Sequence, residues 1–252
     1  MHRFYLSPER TGGEVLTLEG REAHHALNVL RVRSGDRVLV LNGVGEELLC
    51  AVTTADRSQL ALSVLRRSPI QPPPCRITLA QALPKGKLFE SIIQKATELG
   101  VSEVVPLLSE RVTAHLDEKD GAHKRDKWQA IAVEAIKQCG AGWLPRVHVP
   151  LAPKQFREQD KEFELEIVGS LQNNARHPRE ICDAFRRQHG RLPRSACVWI
   201  GPEGDFTSTE LDLIQGSGAC PVTLGPLVLR TETAAIYSLS ILNYEFSFSP
   251  RD

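Results

Sequence analysis

Residues 224–234 read LGPLVLRTETA and join a short apolar strand, predicted at 221–224, to an amphipathic helix predicted over 232–246. Gly225 and Pro226 stand at the exit of the strand, where glycine lets another group approach the backbone closely. The free N–H groups at the start of the helix suit a polar or anionic ligand. Glycine-proline is also an ordinary way to end a strand, so the segment predicts either a binding loop or a turn.

A second segment has the same arrangement. Residues 200–206 read IGPEGDF, follow an apolar strand predicted at 196–200, and precede a capping box from Thr207 to Glu210 that opens another helix. Ligands of parallel sheets bind at loops beyond the carboxyl ends of the strands. The two Gly-Pro loops are therefore the candidate ligand site.

Strands and helices alternate through the rest of this region. Apolar strands are predicted at residues 76–82, 103–108 and 166–171, and helices at 87–99, 123–139 and 178–188. The helix at 87–99 carries an apolar face and ends at Gly100. Such alternation over about 175 residues predicts an α/β fold with a mostly parallel sheet and helices on both faces.

The first 70 residues have a different pattern. Strands are predicted at 37–41, 47–53 and 59–65, with one short helix over 22–30, and this pattern suggests a small β-barrel. Three consecutive prolines at 72–74 fit neither a helix nor a central strand, so they mark a boundary. We expect two domains, residues 1–70 and residues 75–252.

Composition narrows the class of protein. The chain has 252 residues, is 41% hydrophobic, and contains 31 basic and 31 acidic residues, so it has a core and no net charge. A polycationic nucleic-acid coat is excluded, whereas a local basic patch is not. No apolar run approaches 18 residues and the start lacks a signal-peptide core, so we expect a cytoplasmic protein without a membrane span.

The sequence lacks the motifs of several common enzyme classes. The sequence contains no phosphate-binding P-loop, no G-x-G-x-x-G, no G-x-S-x-G and no H-E-x-x-H. The six cysteines form no C-x-x-C pair and have no zinc-finger spacing, so we interpret them as reduced, buried thiols. His24 and His25 are adjacent, and neighbours on a helix point about 100° apart, so no metal site is predicted.

The two Gly-Pro loops carry a family resemblance. Residues 201–210 and 224–234 resemble the signature of the RsmE family, the SPOUT-class 16S ribosomal RNA (uracil-N3) methyltransferases. The N-terminal pattern His25-x-x-x-Val29-Leu30-Arg31 is similar to the RNA-binding domain of that family. Residues 81–90 and 95–101 match as well, so the resemblance spans nearly the whole chain.

This resemblance implies a fold and a cofactor. It implies a small PUA-like β-barrel followed by a SPOUT methyltransferase domain whose C-terminal part forms a trefoil knot. The loops of the knot would bind S-adenosyl-L-methionine. Family members are usually homodimers that bind 16S rRNA across both subunits. The cofactor-binding residues implied for this chain are Leu171, Gly201, Pro202, Glu203, Gly204, Leu224, Gly225, Leu229 and Thr231.

Methyl transfer to uracil N3 also needs a group that stabilises the anion or removes the proton. We assign Arg230 to anion stabilisation or phosphate contact, and Glu232 and Glu203 are candidate bases. Both carboxylates could equally pair with a helix N-terminus. The resemblance places RNA contacts at His25, Arg31 and Arg33.

Three positions depart from the family pattern. Asp205 stands where a second glycine is usual, while Leu227 and Ala141 stand where arginines are common. These departures leave open a SPOUT enzyme that acts on another RNA or base. A non-catalytic RNA-binding protein of the same fold is a further alternative. A nucleotide-dependent oxidoreductase is disfavoured because its glycine fingerprint is missing.

Overall fold

The computed structural model describes residues 1–56, 58–112, 118–159, 161–172 and 174–247. The described chain forms two compact units. The first contains Met1–Pro72 together with Val133–Leu144, and the second contains Pro73–Ala132 and the chain from Pro145 to residue 247. The prolines at 72–74 therefore stand at the division between the units, but a segment from the later sequence joins the first.

The first unit contains a five-stranded sheet. Its strands are β1 (Arg3–Tyr5), β2 (Val15–Glu19), β3 (Arg37–Leu41), β4 (Glu46–Ala55) and β5 (Gln59–Pro69), in the order β1-β3-β4-β5-β2. β1 is parallel to β3 and the other pairs are antiparallel. The predicted barrel is not closed: among the described residues β1 and β2 do not pair with each other, so the sheet is a curled half-barrel.

Period-two alternation explains these strands. Leu48, Cys50 and Val52 of β4 are buried while their neighbours are exposed or half-buried, and Leu60 and Leu62 of β5 repeat the pattern. Alternate side chains of a strand point to opposite faces, so one face of the sheet forms the core. β1 and β2 were not predicted from the sequence because each is short, with three and five residues.

A short helical segment follows β2. It comprises helix α1 (Gly20–His24) and a π-helical turn over His25–Val29, close to the predicted helix at 22–30. Arg31, directly after it, has a φ of 55°. This left-handed conformation is uncommon for a residue other than glycine.

The segment Val133–Leu144 packs onto the sheet of the first unit. The Gly45 N–H donates to Gly142 O and the Leu144 N–H donates to Gly43 O, each at 2.9 Å. The buried Lys137 amine forms an ion pair with Glu22 at 2.7 Å. Through these bonds, a segment that comes later in the sequence than residue 72 becomes part of the first unit.

The second unit contains a six-stranded sheet in which every pair is parallel. Its strands are β6 (Arg76–Ala82), β7 (Glu103–Leu107), β8 (Arg146–Val147), β9 (Leu165–Gly169), β10 (Ser195–Ile200) and β11 (Cys220–Val222). They lie in the order β11-β9-β10-β6-β7-β8. The predicted parallel α/β fold is confirmed, and the direction of strand succession reverses between β6 and β10.

The described chain contains six further α-helices and one 3-10 turn over Pro8–Arg10. The helices are α2 (Leu88–Glu98), α3 (Glu118–Cys139), α4 (Pro153–Arg157), α5 (Pro178–His189), α6 (Ser208–Gly216) and α7 (Thr231–Ser247). The predicted capping box at α6 is present, since the Glu210 carboxylate accepts the Thr207 N–H at 2.9 Å. α4 and β8 are too short to have been predicted. The trefoil knot implied by the resemblance stays a prediction.

Four of the six cysteines are buried: Cys50, Cys75, Cys182 and Cys197. Desolvation raises the pKa of the Cys75 and Cys182 thiols to about 12 and that of Cys50 to about 11. These thiols stay protonated at neutral pH and serve as apolar packing groups. In the described part of the chain, no helix has both the length and the apolar character needed to cross a membrane.

Candidate functional site

A cavity lies at the carboxyl ends of β9, β10 and β11, three neighbouring strands of the second unit. Its volume is about 270 Å³, near the lower end of the usual range for small-ligand pockets, which starts at about 300 Å³. Three segments line it: residues 169–171 after β9, residues 200–205 after β10, and residues 224–234 before and within α7. The two Gly-Pro loops therefore do meet, as their places after buried strands predicted.

Asp205 fixes the shape of the loop after β10. Its φ is 62°, in the left-handed region, which Asp and Asn tolerate better than most residues. Its Oδ1 accepts the N–H of Phe206 at 2.7 Å, and its own N–H donates to Pro202 O at 2.9 Å. Asp205 thus keeps a backbone turn that glycine would also permit, and it adds a carboxylate to the cavity wall.

Glycines keep the cavity open. Gly225 has a φ of +111°, and a Cβ built there would meet no heavy atom within 4 Å. At Gly201 a Cβ would lie 3.0 Å from Asp205 Oδ1 and 3.1 Å from the Phe206 nitrogen. A side chain at Gly201 would therefore force the loop apart, and one at Gly225 would be strained by the positive φ.

The Thr231 hydroxyl ties both cavity loops to the sheet. It donates to Gly201 O at 2.7 Å and accepts the Gln81 side-chain amide at 2.9 Å. Gln81 is fully buried near the end of β6 and also donates to Ala82 O. One hydroxyl thus connects β6, the loop after β10 and the first residue of α7.

Two carboxylates hold neighbouring loops beside the cavity. Glu203 Oε1 accepts the backbone N–H of Lys85 at 3.0 Å, which fixes the loop between β6 and α2. Glu210, which is buried, accepts the N–H of Glu110 at 2.9 Å. Arg111 donates to Gly204 O, so the loop after β7 rests against the loop after β10.

The cavity wall is mainly apolar and backbone, with few charges. Its charged lining residues are Glu203, Asp205 and Arg230. Glu203 and Arg230 are exposed, whereas Asp205 is half-buried. Leu227 and Val228, which are 74% and 77% exposed, form an apolar rim on one side.

Most of the predicted cofactor residues line this cavity. They are Leu171, Gly201, Pro202, Glu203, Leu224, Gly225, Leu229 and Thr231, and the predicted catalytic Arg230 lies with them. Gly204 does not line it, because its carbonyl turns to Arg111.

Glu232 is also outside this cavity. It lines a second one of about 410 Å³ with residues of α2 and α7 such as Lys95 and Tyr237. Adjacent residues at the start of a helix point about 100° apart. Thr231 and Glu232 therefore line different cavities.

The predicted RNA-binding residues lie in the first unit. Arg31 and Arg33 are exposed on either side of the buried Val32, and His25 is half-buried at the start of the π-helical turn. Neither arginine has a carboxylate within ion-pair distance among the described residues. Their role in RNA binding stays a prediction.

Sequence reasoning missed two members of the site. Gln81 is a buried polar residue near the carboxyl end of β6, and Ser170 follows β9 and is buried in the cavity wall. A polar side chain at the carboxyl end of a buried parallel strand is the signal that would have found Gln81.

Two family models match separate parts of the chain. Residues 71–243 match a family model described as an RNA methyltransferase domain. Residues 18–65 match one described as an RNA methyltransferase PUA domain. Ribosomal RNA small subunit methyltransferase E of Bacillus subtilis is 32% identical over 251 residues, which is 97% of each protein. The protein of that name from Synechocystis is 34% identical and covers 96% of this chain and 77% of its own length.

Solved structures show the same similarity. Ribosomal RNA small subunit methyltransferase E from Neisseria gonorrhoeae, bound to S-adenosyl methionine, superposes with a TM-score of 0.86. The two are 27% identical, with 99% of this chain and 100% of that one covered. A Legionella pneumophila protein, in complex with the cofactor SAM, has a TM-score of 0.86 at 31% identity, covering 96% of both chains.

The Thr231 hydroxyl gives a direct test of this geometry. Thr231→Val keeps the shape of the side chain but leaves Gly201 O without its donor, so we expect a loss of about 1–3 kcal/mol in the free energy of unfolding. Thr231→Ser keeps the hydroxyl and should lose less. Urea unfolding of the two variants measures the difference, and equal losses would contradict the assigned hydrogen bonds.

Proposed function

Because this chain belongs to the RsmE family of ribosomal RNA small subunit methyltransferases, we propose that it transfers a methyl group from S-adenosyl-L-methionine to N3 of a uridine in 16S rRNA. Identities of 32–34% with curated relatives over nearly the whole chain support this proposal. We further propose that it acts in the cytoplasm on the small ribosomal subunit, where this RNA is found.

The observation that carries the proposal is the cavity made by the two Gly-Pro loops. Its apolar wall, including Ile200, Leu224 and Leu229, suits an adenine ring, and the glycine backbone at Gly201 and Gly225 permits close approach. When bound, the cofactor supplies an electrophilic methyl group on a sulfonium. The structures from Neisseria gonorrhoeae and Legionella pneumophila, both with this cofactor, support the assignment.

The residues of the chain then position the reacting groups and stabilise the charge that forms during the reaction. Thr231 and Gln81 hold the two loops at a fixed separation, and positioning can contribute several kcal/mol to a displacement reaction. Arg230 lies at the cavity and has no carboxylate within ion-pair distance among the described residues. We propose that its guanidinium stabilises the anion that uracil forms as N3 loses its proton.

Glu203 is the better placed of the two candidate bases. It lines the cavity, whereas Glu232 lines the second one. Glu203 Oε1 also accepts the Lys85 N–H, so the carboxylate is held in place. We assign the proton acceptor to Glu203 and leave Glu232 without a catalytic role.

RNA contacts are proposed in both units. In the second unit, Lys85, Lys87 and Arg111 lie on loops held against the loop after β10, and they have no carboxylate partner in the described chain. Lys87 precedes helix α2, whose N-terminus adds positive potential. In the first unit, Arg31 and Arg33 would contact phosphates. Because these phosphate contacts are few, we expect the affinity for RNA to depend only modestly on the salt concentration.

We propose that the protein works as a homodimer. Tyr237 and Tyr244 lie seven residues apart on α7, hence on one face of the helix, and are 46% and 68% exposed. Exposed aromatic side chains of this kind are enriched at protein interfaces.

Ribosomal RNA from a strain that lacks the protein is the substrate that tests the function. With S-adenosyl-L-methionine, the protein should form 3-methyluridine in 16S rRNA, detected by mass spectrometry of the digested RNA. Arg230→Ala should lower kcat/KM by about 10²-fold, as expected on removal of an anion-stabilising donor. Arg187→Ala, an exposed arginine of α5 away from the cavity, is the matched control and should leave the rate unchanged.

Each alternative outcome has a distinct meaning. Methylation of another base or another RNA would identify a SPOUT enzyme with a different substrate. Absence of methylation together with absence of cofactor binding by calorimetry would identify a non-catalytic RNA-binding protein. Equal loss of activity in Arg230→Ala and Arg187→Ala would contradict the role given to Arg230.

The proposed phosphate contacts predict a change in salt dependence. In the double variant Lys85→Gln and Arg111→Gln, the slope of log affinity against log salt should fall by about 2, roughly one for each cation removed. Fluorescence anisotropy with a 16S rRNA fragment measures this slope, and Arg187→Gln serves as control. An unchanged slope would remove these side chains from the RNA-binding surface.

Sedimentation equilibrium tests the proposed dimer. The native protein should sediment at twice the monomer mass of 28.0 kDa. The double variant Tyr237→Glu and Tyr244→Glu should sediment as a monomer, because it places two charges in the interface. A native monomer at micromolar concentration, or a variant that remains dimeric, would reject this interface.

A further inference from the structure

Asp205 is an acidic residue that lines the cavity, and the shape of the loop does not require its charge. The turn at Asp205 needs only a residue that tolerates a φ of 62°, and asparagine or glycine would also do so. The Phe206 N–H needs only an acceptor oxygen, which an amide would supply equally well. The geometry of the turn therefore does not explain why this residue carries a negative charge.

No cation of the described chain neutralises Asp205. Among the described residues, none of the ion pairs includes it, and the nearby Arg111 donates to the carbonyl of Gly204. Of the three charged residues in the cavity wall, Asp205 is the least exposed. Its field is therefore less screened by water than that of Glu203 or Arg230.

We propose that Asp205 makes the cavity discriminate by charge, favouring the sulfonium form of the cofactor over the neutral thioether that remains after methyl transfer. This inference rests on the proposed function. S-adenosylmethionine and S-adenosylhomocysteine carry the same adenosine and the same amino acid. They differ in one methyl group and one positive charge at sulfur, so a carboxylate in the cavity distinguishes them electrostatically.

Such discrimination has a consequence for turnover. The charge at sulfur disappears in the same step that moves the methyl group. The attraction from Asp205 then disappears too, and the product leaves more readily than an equally shaped cation would. Asp205 is in this sense a specificity-determining residue, and it takes no proton and forms no covalent bond.

Asp205→Asn is the sharpest variant because it removes the charge alone. Asparagine keeps the left-handed turn and the acceptor for the Phe206 N–H. Calorimetric titration of both proteins with three ligands gives the readout: S-adenosylmethionine, sinefungin with an ammonium group near the position of the sulfonium, and neutral S-adenosylhomocysteine. We expect the variant to bind both cations about 3–10-fold more weakly and to bind S-adenosylhomocysteine with affinity within about twofold of the native value.

Two further variants separate charge from structure. Asp205→Gly lacks the carboxylate and retains the turn, so it should show the same loss of preference as Asp205→Asn. Asp212→Asn, on the exposed side of α6, changes the net charge equally and should alter none of the three affinities. In the native protein, a higher salt concentration should reduce the ratio between the affinities for the two cationic ligands and the affinity for S-adenosylhomocysteine.

The outcomes distinguish this inference from the function on which it rests. If the native protein binds none of the three ligands, the proposed function fails. If the native protein binds them and Asp205→Asn weakens all three equally, the carboxylate contacts a part they share, and the inference is overturned. An unchanged preference in both Asp205 variants would overturn it as well.

Discussion

Every part of the site depends on the position of one hydroxyl group. Thr231 is the first residue of α7, and its Oγ1 lies between the Gln81 amide and the Gly201 carbonyl, 2.9 and 2.7 Å away. These three groups come from positions as far apart as 150 residues in the chain, and the hydroxyl joins them at the cavity. Without this link, nothing in the described chain would fix the separation of the two Gly-Pro loops except the packing around them.

The carboxylates around the cavity serve different purposes. Glu210 is buried and structural, because it caps α6 and also accepts the Glu110 N–H. Glu203 is exposed, fixes the Lys85 loop and faces the cavity. Asp205 shapes its own turn and leaves a charge beside the ligand space. Of these three acids within eight residues, Glu210 stabilises the fold, Glu203 is the proposed proton acceptor, and Asp205 is the proposed determinant of ligand preference.

The parallel sheet was predictable because its strands are mainly apolar and alternate with helices, as is typical of strands covered on both faces. The meeting of the two Gly-Pro loops was predictable from their common place after buried strands. Sequence proximity to Thr231 did not reveal that Glu232 lines the second cavity, because neighbours on a helix point about 100° apart. The packing of residues 133–144 onto the first unit was not predictable, since the sequence of a helix does not show which surface it packs against.

The central claim is that the loops at residues 200–205 and 224–231 hold the cofactor. A crystal structure of the protein with S-adenosyl-L-methionine tests this most directly. We expect electron density for the adenosyl group between these loops, with the hydrogen bond from Thr231 to Gly201 intact. Density in the second cavity between α2 and α7 instead, or a pair of loops that separate and break that bond, would contradict the claim.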